Sequence, residues 1–339
     1  MACRLGRSAR LSAARGRRAE IFNLRQLVVT MNPFRNSVTA WPALAPFGRL
    51  VHLPGSQLDL FMYEMGAATA PPVLLIHGLG GEADTWRHVL PALAVHYRLL
   101  VPDLPGSGRS GVPAHPLGVP GLMRALLELL DTLGLAQVGL IGHSMGAVIA
   151  HAIARDTPTR AAWLVLIGGS LVHRVTRVDP QTALMVVPGL GEWLYNRRRR
   201  DPQAAFRSLE PYYGDFDHLP AADRAYLYQR VNERVWSDTQ RASYLGTLRS
   251  LVRWTPRQQR DLPARLASMT TPTLAIWGAN DRINALANGQ ALPELQPGVE
   301  LVTVPGGGHN VQEENPGVVL AAMARFRGLD LRLAGSHPI

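Results

Sequence analysis

The pentapeptide Gly142-His143-Ser144-Met145-Gly146 sets a hydroxyl nucleophile between two glycines. It follows an apolar run over residues 138–141 and opens a helical pattern over residues 145–155, the strand–turn–helix context of a nucleophile elbow. There Gly142 and Gly146 let strand and helix approach without side-chain clash. The hydroxyl stands at a helix N-terminus, where free amides favour a developing negative charge. A second segment, His77-Gly78-Leu79-Gly80-Gly81, follows the apolar run 73–76. Acyl transfer needs amide donors aimed at an oxyanion, and the amides of Leu79 and Met145 are the candidates. His77 is expected to hold this loop by hydrogen bonds and not to act as the base.

Two further segments supply an acid and a base. Trp277-Gly278-Ala279-Asn280-Asp281-Arg282 places Asp281 just after a strand over residues 273–277, at the edge where open α/β sheets bind ligands. On its own Asp281 could equally be a helix N-cap. Gly306-Gly307-Gly308-His309 follows a strand over residues 299–304; its glycines are expected to form a flexible loop that lets His309 reach Ser144. A lone loop histidine is more often inert. The order Ser144, Asp281, His309, each at a strand's carboxyl end, points instead to a triad. In it Ser144 attacks a carbonyl, His309 takes the proton, and Asp281 holds the imidazole tautomer. Water activated by His309 then releases the acyl group.

The elements that must position these residues alternate. Strands are expected over 49–53, 58–65, 73–76, 97–101, 138–141 and 161–167, the first two joined as a hairpin through Pro54-Gly55-Ser56-Gln57. Helices are expected near 84–95 and over 119–133 and 145–155. Alternation stops between 171 and 261, a helical block, and resumes with strands 273–277 and 299–304 and helices near 286–295 and 316–328. The pattern predicts an α/β protein: a mostly parallel sheet of about eight strands flanked by helices, with an inserted helical cap. The expected organisation is an Arg-rich tail (1–30), a first core part (31–170), the cap (171–261), a second core part (262–330) and a tail (331–339).

With these motifs the chain resembles the α/β-hydrolase superfamily from about Arg49 to Gly328. Asp103-Leu104-Pro105-Gly106-Ser107-Gly108-Arg109-Ser110 also resembles that family's loop after its fourth strand. The resemblance implies Ser144, Asp281 and His309 as triad and Leu79 and Met145 as oxyanion donors. His77, Gly78, Gly142, Gly146 and Asp103 then shape the site, with Asp103 outside the triad. A serine at the elbow implies acyl transfer on an ester or related bond, without cofactor or metal. C–C bond hydrolysis, acyl transfer to another acceptor and cofactor-free perhydrolysis use the same triad. A hydrolase-like ligand receptor is the non-catalytic alternative.

The formal net charge is +10, yet all 35 basic residues are arginine, and seven of them fall in residues 1–30 beside the single acid Glu20. The rest of the chain, 28 arginines against 24 acids, is nearly balanced, and no basic cluster interleaves with aromatics as a nucleic-acid surface would. The run 197–200 reads as a solvated helix end, with an anionic head group or membrane surface as the alternative. Leu184, Met185, Val186, Val187, Leu190, Trp193 and Leu194 suggest an apolar acyl pocket or entrance, or ordinary packing of cap on core. The substrate is expected to be a small molecule with an apolar acyl part. The single cysteine, Cys3, excludes an internal disulfide, and a bacterial cytoplasmic home is the expectation, with targeting by residues 1–30 left open. Oligomeric state is left open too. Because residues 1–30 carry no apolar periodicity, a chain starting at Met31 is expected to match the full chain in melting temperature and turnover. A large drop in either would contradict this.

Overall fold

The structure, a computed structural model, describes residues 34–35, 37–175 and 180–329, the side chains of 180 and 181 excepted. The expected tails 1–30 and 331–339 lie outside the described residues. The described residues from Val38 onward belong to one compact unit.

Eight strands make one sheet in the order β1-β2-β4-β3-β5-β6-β7-β8. They are β1 (Gly48–Leu53), β2 (Leu58–Met65), β3 (Pro72–Ile76), β4 (Arg98–Pro102), β5 (Val138–His143), β6 (Ala161–Ile167), β7 (Thr273–Gly278) and β8 (Val299–Val304). β1 and β2 pair as an antiparallel hairpin, β2 runs antiparallel to β4, and every other pairing is parallel. The central strands are apolar on both faces, and alternate residues serve two cores. Leu74, Ile76, Leu140, Leu164 and Leu166 pack on one side, against α2 (Gly118–Thr132) and α3 (Met145–Asp156). Val73, Leu75, Ile141, Val165 and Ile167 pack on the other, against α1 (Leu90–Leu93) and the last helix.

Between β6 and β7 the described chain is helical: α4 (Pro180–Val186), α5 (Leu190–Arg197), α6 (Pro202–Arg207), α7 (Ala221–Trp236), α8 (Asp238–Gln258) and α9 (Leu262–Ala267). This block has a small core of its own, formed by Phe206, Tyr213, Phe216, Leu219, Leu227 and Val231. After β7 come α10 (Leu286–Gln290) and α11 (Leu292–Leu295), and after β8 come α12 (Val311–Glu314) and α13 (Pro316–Arg327).

Two expected helices are corrected. Residues 84–95 form a 3₁₀ turn, Ala83–Trp86, and the single turn α1, with Pro91 at its start. Residues 286–295 break into α10 and α11, with Pro293 in the first turn of α11. In both, proline cannot donate the amide bond that would continue the preceding helix. Among the described residues no helix is long and apolar enough to cross a membrane.

Gly146, in the first turn of α3, sits against the end of β3, where an added Cβ would lie 2.0 Å from the Ile76 carbonyl oxygen. The obstructing atom is backbone and cannot swing away. Gly146→Ala is therefore expected to destabilise the fold by ~2–3 kcal/mol, seen as an earlier midpoint in denaturant unfolding; an unchanged midpoint would contradict this packing.

Candidate active site

Ser144 follows β5 and sits at the N-cap of α3. Its amide donates to the Ile167 carbonyl at 2.8 Å, carrying the β5–β6 pairing one residue past the strand. The chain then reverses within that residue, at φ 54° and ψ −119°, a region that L side chains enter at a cost of ~1–3 kcal/mol. Gly169, after β6, packs so closely that a Cβ there would fall 2.3 Å from the Ser144 carbonyl oxygen. The neighbouring Gly168 lies against the His309 ring, its hypothetical Cβ 3.2 Å from Nδ1. The ends of β5, β6 and β8 thus bring Ser144 and His309 to one place. The His309 ring also lies 4.9 Å from that of His143, the residue before the serine.

Asp281 follows β7. Its Oδ1 accepts from the amides of Ile283 (2.8 Å) and Asn284 (2.7 Å), closing an Asx-type turn. Oδ2 lies 2.8 Å from His309 Nδ1, with both side chains shut off from solvent. Asp281 accepts the Nδ1 proton, which leaves Nε2 as the lone-pair nitrogen. Nε2 is buried and has no hydrogen-bond partner. The glycine loop before His309 differs from expectation. Gly307 and Gly308 are buried, and a Cβ on Gly308 would meet the Gly214 amide at 2.4 Å. The glycines permit close packing on the cap, so the loop is held and not free to swing. The amides of His309 and Asn310 both donate to the Tyr212 carbonyl, at 2.8 and 2.9 Å.

His77 uses both ring nitrogens in bracing. Nδ1 donates to the Gly78 carbonyl (2.8 Å) and Nε2 accepts the Leu104 amide (2.9 Å). Burial pushes its pKa below the ordinary histidine value, so it stays neutral in this arrangement. Gly78 O also accepts the Gly81 amide at 3.0 Å, fixing the turn that carries Leu79. Asp103, fully buried, accepts from the Ala83 amide (2.7 Å) and from the Arg109 amide and Nε (both 2.8 Å). Neither residue joins the Ser144, His309 and Asp281 group.

Leu79 and Met145 line one narrow cleft with Arg234, Gln240, Tyr244 and Thr247 of the cap. Its free volume is about 10 Å³, room for roughly one water. The apolar cap residues singled out in the sequence divide. Met185 packs against Leu245 and Leu248, whereas Leu184, Val187 and Trp193 are exposed. Of the residues 197–200, Arg199 pairs with Asp238. Tyr213 is buried, its hydroxyl donating to Glu313 at 3.0 Å.

Two buried ion networks escaped the sequence reading. Arg87 Nη2 lies 2.6 Å from Asp223 and 3.0 Å from Glu313. Glu82 meets Arg230 at 3.1 Å and Arg234 at 3.4 Å, and Arg230 also pairs with Glu233. A signal for the second was present: Arg230 and Arg234 share the helical stripe of Tyr226, Leu227 and Val231, where a solvated arginine does not belong.

A family model described as the alpha/beta hydrolase fold matches residues 71–316. The chain belongs to that family. This α/β hydrolase is 29% identical over 267 residues to the dihydrolipoyllysine-residue acetyltransferase component of the acetoin cleaving system of Pseudomonas putida, with 78% of this chain and 65% of that protein covered. The chain thus spans less than two thirds of that relative's length. It is 30% identical over 287 residues to 2-hydroxy-6-oxononadienedioate/2-hydroxy-6-oxononatrienedioate hydrolase 2 of the same organism, covering 80% of this chain and 93% of that protein. Among solved structures, 2-hydroxy-6-oxo-6-phenylhexa-2,4-dienoate hydrolase from Rhodococcus sp. strain RHA1 superposes with a TM-score of 0.68 at 21% identity, over 83% of this chain and 99% of that one. At that identity the likeness is one of fold.

Glu82 yields a pH prediction. Burial raises its pKa, but Arg230 and Arg234 outweigh burial and bring it down to about 2. A carboxylate depressed in the folded state stabilises it above the unfolded value of ~4.3; that stability is lost as pH falls towards 2. Stability measured from pH 6 to 2 should therefore fall less steeply in Glu82→Gln than in the wild type, on top of a loss at neutral pH. Equal slopes would show that Glu82 is not paired in this way.

Proposed function

We propose that this α/β hydrolase cleaves a carboxylic ester or related acyl bond through an acyl-enzyme on Ser144, with His309 as base and Asp281 as orienting acid. The carrying observation is the His309 imidazole. Its Nδ1 is held by a buried carboxylate, its Nε2 is buried without a partner, and its ring lies 4.9 Å from that of His143, the residue before Ser144. A buried lone pair without a donor costs ~1–3 kcal/mol, and the serine proton is the donor that this chemistry supplies.

The steps follow from the groups present. Nε2 takes the Ser144 proton as Oγ attacks the carbonyl carbon. The charge that builds on the carbonyl oxygen is met by the amides of Leu79 and Met145. Asp281, fixed through Oδ1 by two amides, keeps the lone pair on Nε2 and then stabilises the imidazolium. That imidazolium protonates the leaving alcohol. A water deprotonated by the same nitrogen then attacks the acyl carbon and frees Ser144. His77 and Asp103 act on this sequence only through the shape of the loops that they brace.

C–C bond hydrolysis is the second reading, favoured by the relative named for 2-hydroxy-6-oxononadienedioate hydrolysis, which the chain matches over 93% of its length. A panel of p-nitrophenyl esters of rising acyl length, run beside 2-hydroxy-6-oxononadienedioate, separates the two. Multiple turnover on the esters with none on the dienedioate supports the first reading, and the reverse supports the second.

Under either reading a fluorophosphonate should label Ser144. Ser144→Ala and His309→Ala should lower kcat by ~10⁴ or more, and Asp281→Asn by ~10³–10⁴ with the fold intact. His77→Ala should cost roughly 10²–10³ at most and leave Ser144 reactive to the probe. Loss of the basic limb of the pH–rate profile on removing His77, with His309→Ala unaffected, would overturn the assignment.

A further inference from the structure

The backbone of His309 is held on both sides. Its amide donates to the Tyr212 carbonyl at 2.8 Å. Its carbonyl accepts from the Nε2–H of His143 at 3.1 Å, in a buried contact. His143 is the last residue of β5 and directly precedes Ser144. A carbonyl oxygen can only accept, so His143 carries its proton on Nε2 and keeps Nδ1 as the lone-pair nitrogen. Burial, and then the neighbouring His309, push the His143 pKa well below the ordinary histidine value. The ring stays neutral beside a base that changes charge. It lies 4.9 Å from the His309 ring, the two planes tilted by 56°. Nδ1 lies on the side of Gly78, where an added Cβ would fall 3.1 Å from it and 3.1 Å from Ser144 Cβ. One ring thus fills the space between the loop of Leu79 and the loop of His309.

We propose that His143 is a positioning residue, a strut that fixes the spacing of Ser144 and His309 through its hydrogen bond to the His309 carbonyl. The inference rests on the reading of Ser144 as nucleophile and His309 as base. Those two residues follow β5 and β8, which are not neighbours in the sheet, since β6 and β7 lie between them. Strand pairing transmits their spacing only through both intervening strands. The His143 bond is a direct link from the residue before the nucleophile to the backbone of the base. Without the donor, a buried carbonyl loses its partner and the loop can shift to find another. A displacement of about 1 Å between reacting groups costs on the order of 10²-fold in rate. The strut acts on the distance between nucleophile and base, so its loss falls on kcat.

The test separates the donor from the bulk of the side chain. His143→Leu removes the donor, whereas His143→Gln keeps an amide N–H as many bonds from the backbone as Nε2. On whichever p-nitrophenyl ester or dienedioate turns over, His143→Leu should lower kcat by about 10–100-fold with KM little changed. The rate of fluorophosphonate labelling at Ser144 should fall by the same factor. His143→Gln should recover most of both losses. The downfield proton resonance of His309 Nδ1–H, identified by its absence in His309→Ala, should persist in the wild type and His143→Gln and broaden in His143→Leu. If His143→Leu does not fold, His143→Phe, which keeps a ring without the donor, carries the same expectations. Wild-type kcat and labelling in a folded donor-less variant overturn the strut. So does a loss carried by KM, or a His143→Gln protein no better than His143→Leu. Disappearance of the basic limb of the pH–rate profile in both variants would make His143 itself the base and overturn it too. If nothing turns over and the wild-type Ser144 stays unlabelled, the nucleophile assignment fails, while the His309 resonance still decides the strut by itself.

Discussion

Backbone crowding around Ser144 sets the geometry of everything near it. Ile76 of β3 presses on Gly146, and Gly169 after β6 presses on the serine's own carbonyl. The chain can turn from β5 into α3 only by adopting a positive φ at the one residue between strand and helix. Gly78 after β3 and Gly169 after β6 lie against that residue, and His309 after β8 lies beside His143, the residue before it. The strain is stable because the strands that impose it are buried on both faces, and their parallel pairing is continued by the serine amide itself.

The second organising feature is charge where a cap would be expected to be greasy. Arg87 and Asp223 join the segment after β3 to the start of α7, and Glu82, Arg230 and Arg234 join it to the end of the same helix. Buried pairs of this kind add little net stability, because desolvation offsets attraction, but removing one partner costs ~3–5 kcal/mol. Their effect is directional: α7 can settle in one register against the loop that carries Leu79 and not in its neighbours. An apolar seam of the same area would tolerate sliding.

Much of this was readable from residue order. Ser144, Asp281 and His309 each follow a short apolar run bounded by glycine, and such runs are strands wherever both faces must be buried. The hairpin at Pro54-Gly55-Ser56-Gln57 was readable for the same reason, its turn residues separating two apolar runs. The helices at 84–95 and 286–295 were not, since apolar spacing continued across Pro91 and Pro293 while the missing amides broke the helical bonding. The glycines before His309 misled in a different way. Glycine permits both looseness and close approach, and only the position of Gly214 across the gap decides between them. The ion networks were the least accessible, because Glu82 and Arg230 are 148 residues apart and pair only once the helical block has folded back.

The Tyr212 carbonyl, which receives the amides of both His309 and Asn310, ties the helical block to the loop that carries His309. Glu314 strengthens the tie, accepting from the amides of Gly214 (2.8 Å) and Gly308 (2.5 Å). Caps in a shared fold are commonly treated as interchangeable modules that tune specificity. Here the module boundary does not coincide with the insertion boundary: the segment around residues 212–214 travels with the core. A chimera that exchanges the whole insertion would replace the acceptor on which the histidine loop is hung, so a transplantable unit would have to begin after Gly214 or bring its own matching loop.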